Sequence, residues 1–109
     1  MNIKERFLKY VSINTQADEA SLSVPSSACQ LDLARILAQE CKEIGFDNVQ
    51  LDESGIVYAT LFSTDETKDA IGFLAHMDTA CELSGKNVKP RIIIEKLLED
   101  DENEDLVDY

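Results

Sequence analysis

Basic residues are scarce in this sequence, and their scarcity excludes more than any motif does. Ten Lys and Arg stand against 22 Asp and Glu, a formal charge of −12. A chain so acidic is a poor direct partner for nucleic acid or for an anionic membrane surface. Long apolar runs are missing too: none approaches the ~18 residues of a membrane-spanning helix. The opening "MNIKERFLKY" puts charges where a secretory signal needs its apolar core. Cysteines number three, an odd count without C-x-x-C spacing. That pattern fits reduced thiols in a cytoplasmic protein better than a disulfide framework. Histidine occurs once, as His76. Neither an internal repeat nor a linker between two domains is visible.

The apolar residues that are present, 44% of 109, suffice for one modest core. Charge divides the chain in two. Residues 99–109, "EDDENEDLVDY", hold seven acidic groups and no basic one, which leaves the first 98 mildly acidic. We read 1–98 as the folded part and 99–109 as a solvated, disordered acidic tail. Glu99, Asp100 and Asp101 offer loose divalent-cation contacts at most, since a solvated charge run is the simpler reading.

Asn2 with Glu5 makes a capping box for a first helix, and Ile3, Phe7, Leu8 and Val11 share one face of it. The polar stretch from Asn14 to Pro25 reads as a surface loop. Ser27 to Gln30 is a second capping box, and Leu33, Leu37, Cys41 and Ile44 continue as an amphipathic helix stopped by Gly45. Val49 and Leu51 then alternate with polar residues, and Glu53-Ser54-Gly55 turns the chain into the β-branched, aromatic run from Ile56 to Phe62. Residues 70–75, "AIGFLA", are apolar on both faces, as in a strand buried between layers. A loop over 80–90 follows, and "RIIIEKLLE" at 91–99 reads equally as strand or short helix. This order predicts an α/β fold, a mixed sheet with helices packed on it.

His76 and Asp78 follow the most apolar strand candidate, and ligands in α/β sheets gather beyond the carboxyl ends of strands. A continued extended backbone points both residues to one side. One imidazole nitrogen is then available to a metal while Asp78 hydrogen-bonds the other and fixes the tautomer. Spacing alone favours an ordinary hydrogen-bonded pair over a metal site, and catalytic zinc sites need three protein ligands. Cys81 reads as a buried or incidental thiol near the pair. Lys86 and Lys89 are either solvated loop lysines or contacts for a substrate carboxylate. Phe7, Tyr10, Phe46 and Tyr58 read as core or edge packing.

Residues 71–90, "IGFLAHMDTACELSGKNVKP", resemble the first metal-ligand segment of the peptidase T family of tripeptidases, within the M20 clan of dinuclear zinc peptidases. "ERFLKYVSINTQA" at 5–17, "VPSSACQ" at 24–30 and "GFDNVQLDESGIVYATL" at 45–61 resemble the opening of the same family, so the likeness covers residues 1 to about 93. The resemblance implies the N-terminal part of an α/β zinc-exopeptidase catalytic domain. It implies that His76 binds one of two zinc ions and that Asp78 orients it and supports catalysis. The substrate implied is a tripeptide, cleaved at its first peptide bond. Family members are several times longer and carry further ligands and a glutamate base with no matching segment here. The chain is therefore expected to be inactive alone and to hold at most one zinc weakly, unless a second chain completes the site. The competing expectation is a non-catalytic interaction module or truncated product. In either case the missing half of the fold predicts self-association into a homo-oligomer.

Overall fold

The computed structural model describes residues 1–94. The acidic run at 99–109, and the second half of the strand-or-helix segment at 91–99, lie outside the described residues.

Helix α1 spans Ile3–Val11. Its capping box forms as the sequence predicts: Asn2 Oδ1 accepts from the Glu5 amide at 2.8 Å, and Glu5 Oε2 accepts from the Asn2 amide at 2.9 Å. Two of the orphan amides of the first turn are thereby satisfied. The apolar face does not become core. No residue of α1 is buried, and Ile3 and Phe7 are 87% and 57% exposed.

Helix α2 spans Gln30–Ile44 and supplies the core with Leu33, Ala34 and Ala38. Its start corrects the expected capping box. Cys29 flanks the first turn in helical torsions, without a side-chain cap. The Ser27 hydroxyl, the expected cap, instead donates to the Gln16 carbonyl at 2.5 Å. A long-range acceptor has taken the group that local spacing assigned to the helix. The other end behaves as the sequence predicts. Gly45 adopts φ 107°, and its amide donates to the carbonyls of Cys41 and Lys42. Left-handed torsion there favours a residue without Cβ.

Strands β1 (Asn48–Leu51) and β2 (Val57–Thr60) form an antiparallel hairpin in which Asn48 faces Thr60 and Leu51 faces Val57. The turn between them is closed by Asp52, whose Oδ1 accepts from the amides of Ser54 and Ile56, both at 3.0 Å. Gly55 takes φ 83° at that turn. Two strands alone are marginal in water, and here α2 packs against both.

Residues 70–75 correct the predicted topology. They form no strand, and Ile71, Phe73 and Leu74 are 82%, 93% and 101% exposed. A strand apolar on both faces is stable only with paired neighbours and a layer on each side. Among the described residues the sheet stops at two strands. The described architecture is thus two helices and a two-stranded antiparallel sheet, compatible with an α/β fragment, and not a mixed sheet.

Candidate functional site

His76 and Asp78 meet as the spacing predicts. His76 Nδ1 lies 2.9 Å from Asp78 Oδ1 and 2.9 Å from the Asp78 backbone oxygen. Both partners are acceptors, so Nδ1 carries the proton and the lone pair of the neutral ring belongs to Nε2. The pair is open to solvent, with side chains 86% and 46% exposed. The hydrogen bond that Nδ1 donates to the Asp78 carboxylate pulls the His76 pKa above its ordinary value, helped by the backbone oxygen and by the carboxylate charge. The residues 76–78 line one side of an open groove whose other walls include Phe7, Tyr10, Leu33 and Val57.

The segment is tied to the fold one residue later. Thr79 donates its amide to the Thr15 carbonyl at 3.0 Å and accepts from the Ala17 amide at 2.9 Å, a single parallel bridge opposite Gln16. Gln16 completes the tie with its side chain. Nε2 donates to the Cys81 carbonyl at 3.2 Å, and Oε1 accepts from the Gly85 amide at 3.0 Å. The Asn14–Pro25 stretch is therefore a loop, as predicted, but Thr15 within it is buried, only 3% exposed. Sequence reading missed Gln16, because its partners lie 65 and 69 residues away and no local spacing connects them.

A second polar centre was also missed. Glu40, 7% exposed, gathers Lys9 Nζ at 2.7 Å, Arg6 Nη1 at 3.1 Å and the Tyr10 hydroxyl. The Lys9 contact, then Tyr10, holds its carboxyl below the ordinary range. Burial, then the Glu40 contact, pushes the Tyr10 phenol up. A sign was legible: Glu40 stands three residues after Leu37, inside the apolar stripe of α2. Tyr10 is thus a hydrogen-bonding anchor and not simple packing, while Phe7 and Tyr58 are 57% and 50% exposed.

The remaining candidates separate from the pair. Cys81 is half-buried, and desolvation, then Glu19, raises its thiol pKa, which disfavours the thiolate a metal requires. Lys86 and Lys89 are exposed. No three His, Cys, Asp or Glu side chains lie together as a metal-binding group among the described residues. A complete zinc site therefore does not fit the described residues. One ligand position with its orienting carboxylate does. No helix among them is long and apolar enough to cross a membrane.

No family model matches the chain. Individual relatives do. Peptidase T of Clostridium perfringens is 50% identical over 92 residues, which are 84% of this chain and 23% of that protein. Peptidase T of Bacillus mycoides is 51% identical over 89 residues, 81% of this chain and 22% of that protein. Peptidase T of Alkaliphilus oremlandii is 48% identical over 95 residues, with coverage of 84% and 23%. The chain spans about a quarter of the length of the curated relatives it matches.

Proposed function

We propose that this chain, a homologue of peptidase T over 84% of its residues, is a segment of a zinc-dependent tripeptide aminopeptidase of the M20 type. In this reading it holds the first ligand of the dinuclear centre and works in the cytoplasm. The observation that carries the reading is the His76 ring. Its Nδ1 is fixed by two oxygens of Asp78, and its Nε2 lone pair remains for a metal on an exposed imidazole. Such a carboxylate–histidine arrangement fixes the ring and raises its basicity as a ligand.

His76 would hold one zinc through Nε2, and Asp78 would keep the tautomer that leaves Nε2 free. Zinc bound in such a centre polarises a carbonyl and lowers the pKa of bound water. In this reading the base and the other ligands come from a second polypeptide and the chain alone is inactive, which is supported by the lack of a three-residue metal-binding group among the described residues. Mixing the chain with a polypeptide supplying the rest of a peptidase T sequence tests this. Tripeptide hydrolysis that requires both chains, and that is lost in His76→Ala, is the expected result. A mixture that assembles yet never cleaves a tripeptide refutes the reading.

A second reading is favoured by one observation. Ile71, Phe73 and Leu74 stand almost fully exposed in one short run. A contiguous apolar strip of this kind suits a non-catalytic module or truncated product that associates with copies of itself.

A further inference from the structure

All four polar atoms of Gln16 find partners in the structure. Its amide donates to Asn14 Oδ1 at 3.1 Å, and its carbonyl accepts from the Ser27 hydroxyl at 2.5 Å. Nε2 and Oε1 reach the Cys81 carbonyl and the Gly85 amide. These last two fix which way the carboxamide faces, because Gly85 N–H only donates and the Cys81 carbonyl only accepts. Thr15 and Ala17, on either side of Gln16, hold both backbone groups of Thr79. The residue that follows Asp78 is thus bracketed by the neighbours of Gln16, and the loop beyond it is gripped by the Gln16 side chain. Two side-chain hydrogen bonds from Gln16 thus join residues 79–85 to the first half of the chain.

We infer that Gln16 is a positioning residue: it sets the path of residues 79–85 and so holds the Asp78 carboxylate against Nδ1 of His76. The His76 ring has little packing of its own, being 86% exposed. The course of the backbone through 78 and 79 sets where the Asp78 carboxylate stands, and that course is pinned at Thr79, Cys81 and Gly85. A carboxamide is specifically required. Glutamate at 16 keeps an acceptor for Gly85 but sets a second acceptor against the Cys81 carbonyl. Alanine removes both contacts. The inference rests on the pair being the functional element, but its readout contains no metal. It can therefore fail while zinc binding stands, and stand where zinc fails to bind.

The test uses the full chain labelled with 15N histidine, in which one imidazole gives the whole signal. At alkaline pH, where the ring is neutral, the wild-type imidazole is expected to carry its proton on Nδ1. In Gln16→Ala the Nε2-protonated form grows severalfold, and Gly85 amide exchange quickens by about tenfold, the scale of one lost hydrogen bond. In Gln16→Glu the tautomer shifts while Gly85 stays protected. Helical circular dichroism is retained in Gln16→Glu, the variant that decides the matter if alanine prevents folding. A ring that keeps its proton on Nδ1 in every variant that folds overturns the inference. Loss of helix in both variants overturns it as well, by making Gln16 a residue of folding and not of positioning.

Discussion

Gly85 donates its amide to Oε1 of Gln16 at 3.0 Å, across 69 residues of sequence. The approach is close enough to exclude a side chain. A Cβ on residue 85 would stand 2.5 Å from Asn14 Oδ1 and 3.2 Å from Gln16 Cβ. Asn14 Oδ1 is itself occupied by the Gln16 amide, so it cannot move aside without losing that bond. Gly85→Ala is therefore expected to loosen the 79–85 loop and cost about 1–3 kcal/mol, the scale of overpacking a fitted site. Urea denaturation followed by circular dichroism reads the cost. A variant as stable as wild type, with Thr79 and Gly85 amides equally protected, contradicts the contact.

Glu40 joins the two helices. Since α1 buries no residue, its attachment to α2 rests heavily on the Lys9, Arg6 and Tyr10 contacts to this one carboxylate. Hydrogen bonds to charged groups contribute about 1.5–3 kcal/mol, and solvent at Lys9 and Arg6 reduces that. Glu40→Gln is expected to cost about 1–2 kcal/mol in urea unfolding. The pH dependence has a definite sign. The folded carboxyl titrates below its ordinary value of 4.5, so the unfolded chain binds the proton more readily. Stability from Glu40 is thus full above 4.5 and is lost as pH falls through the lower folded value. The gap between wild type and Glu40→Gln should close in acid. A gap that widens below that point refutes the assignment.

His76 gives the opposite sign. Its folded pKa lies above 6.5 because of Asp78, so the stabilisation is full below 6.5 and disappears as pH rises through the raised value. Asp78→Asn removes the anion and is expected to lower the His76 pKa towards 6.5, as measured by the single imidazole resonance. An unchanged titration would mean that Asp78 does not govern the ring.

The exposed strip at 71–74 carries the expectation of self-association. Replacing Phe73 by Asp or Leu74 by Lys should shift the chain towards monomer in sedimentation velocity, with the helical signal retained. Wild-type chain that stays monomeric at every concentration measured removes the basis for this surface.

Legibility in the sequence followed the range of each interaction. Although the closing role of Asp52 is not readable, the Asn2–Glu5 box, the Gly45 stop and the Glu53–Gly55 turn are set by contacts within five residues, and all three are readable. The same holds for His76 and Asp78, two residues apart. Ser27 misled because its hydroxyl answers to Gln16, eleven residues earlier. Residues 70–75 misled for a different reason. Their pattern describes a place in a sheet, and the neighbours that would make that place are not among the described residues. Glu40 could have been read from its position within an apolar stripe. Gln16 could not, because nothing local marks an amide whose partners are more than sixty residues away.

The central claim concerns one nitrogen atom: His76 offers Nε2 to a metal while Asp78 keeps the proton on Nδ1. Adding cadmium at millimolar concentration to the chain labelled with 15N histidine tests it most directly, since the chain has one imidazole. The predicted result is a shift of the Nε2 resonance, with Nδ1 retaining its proton. A shift at Nδ1, or no response at either nitrogen, contradicts the claim.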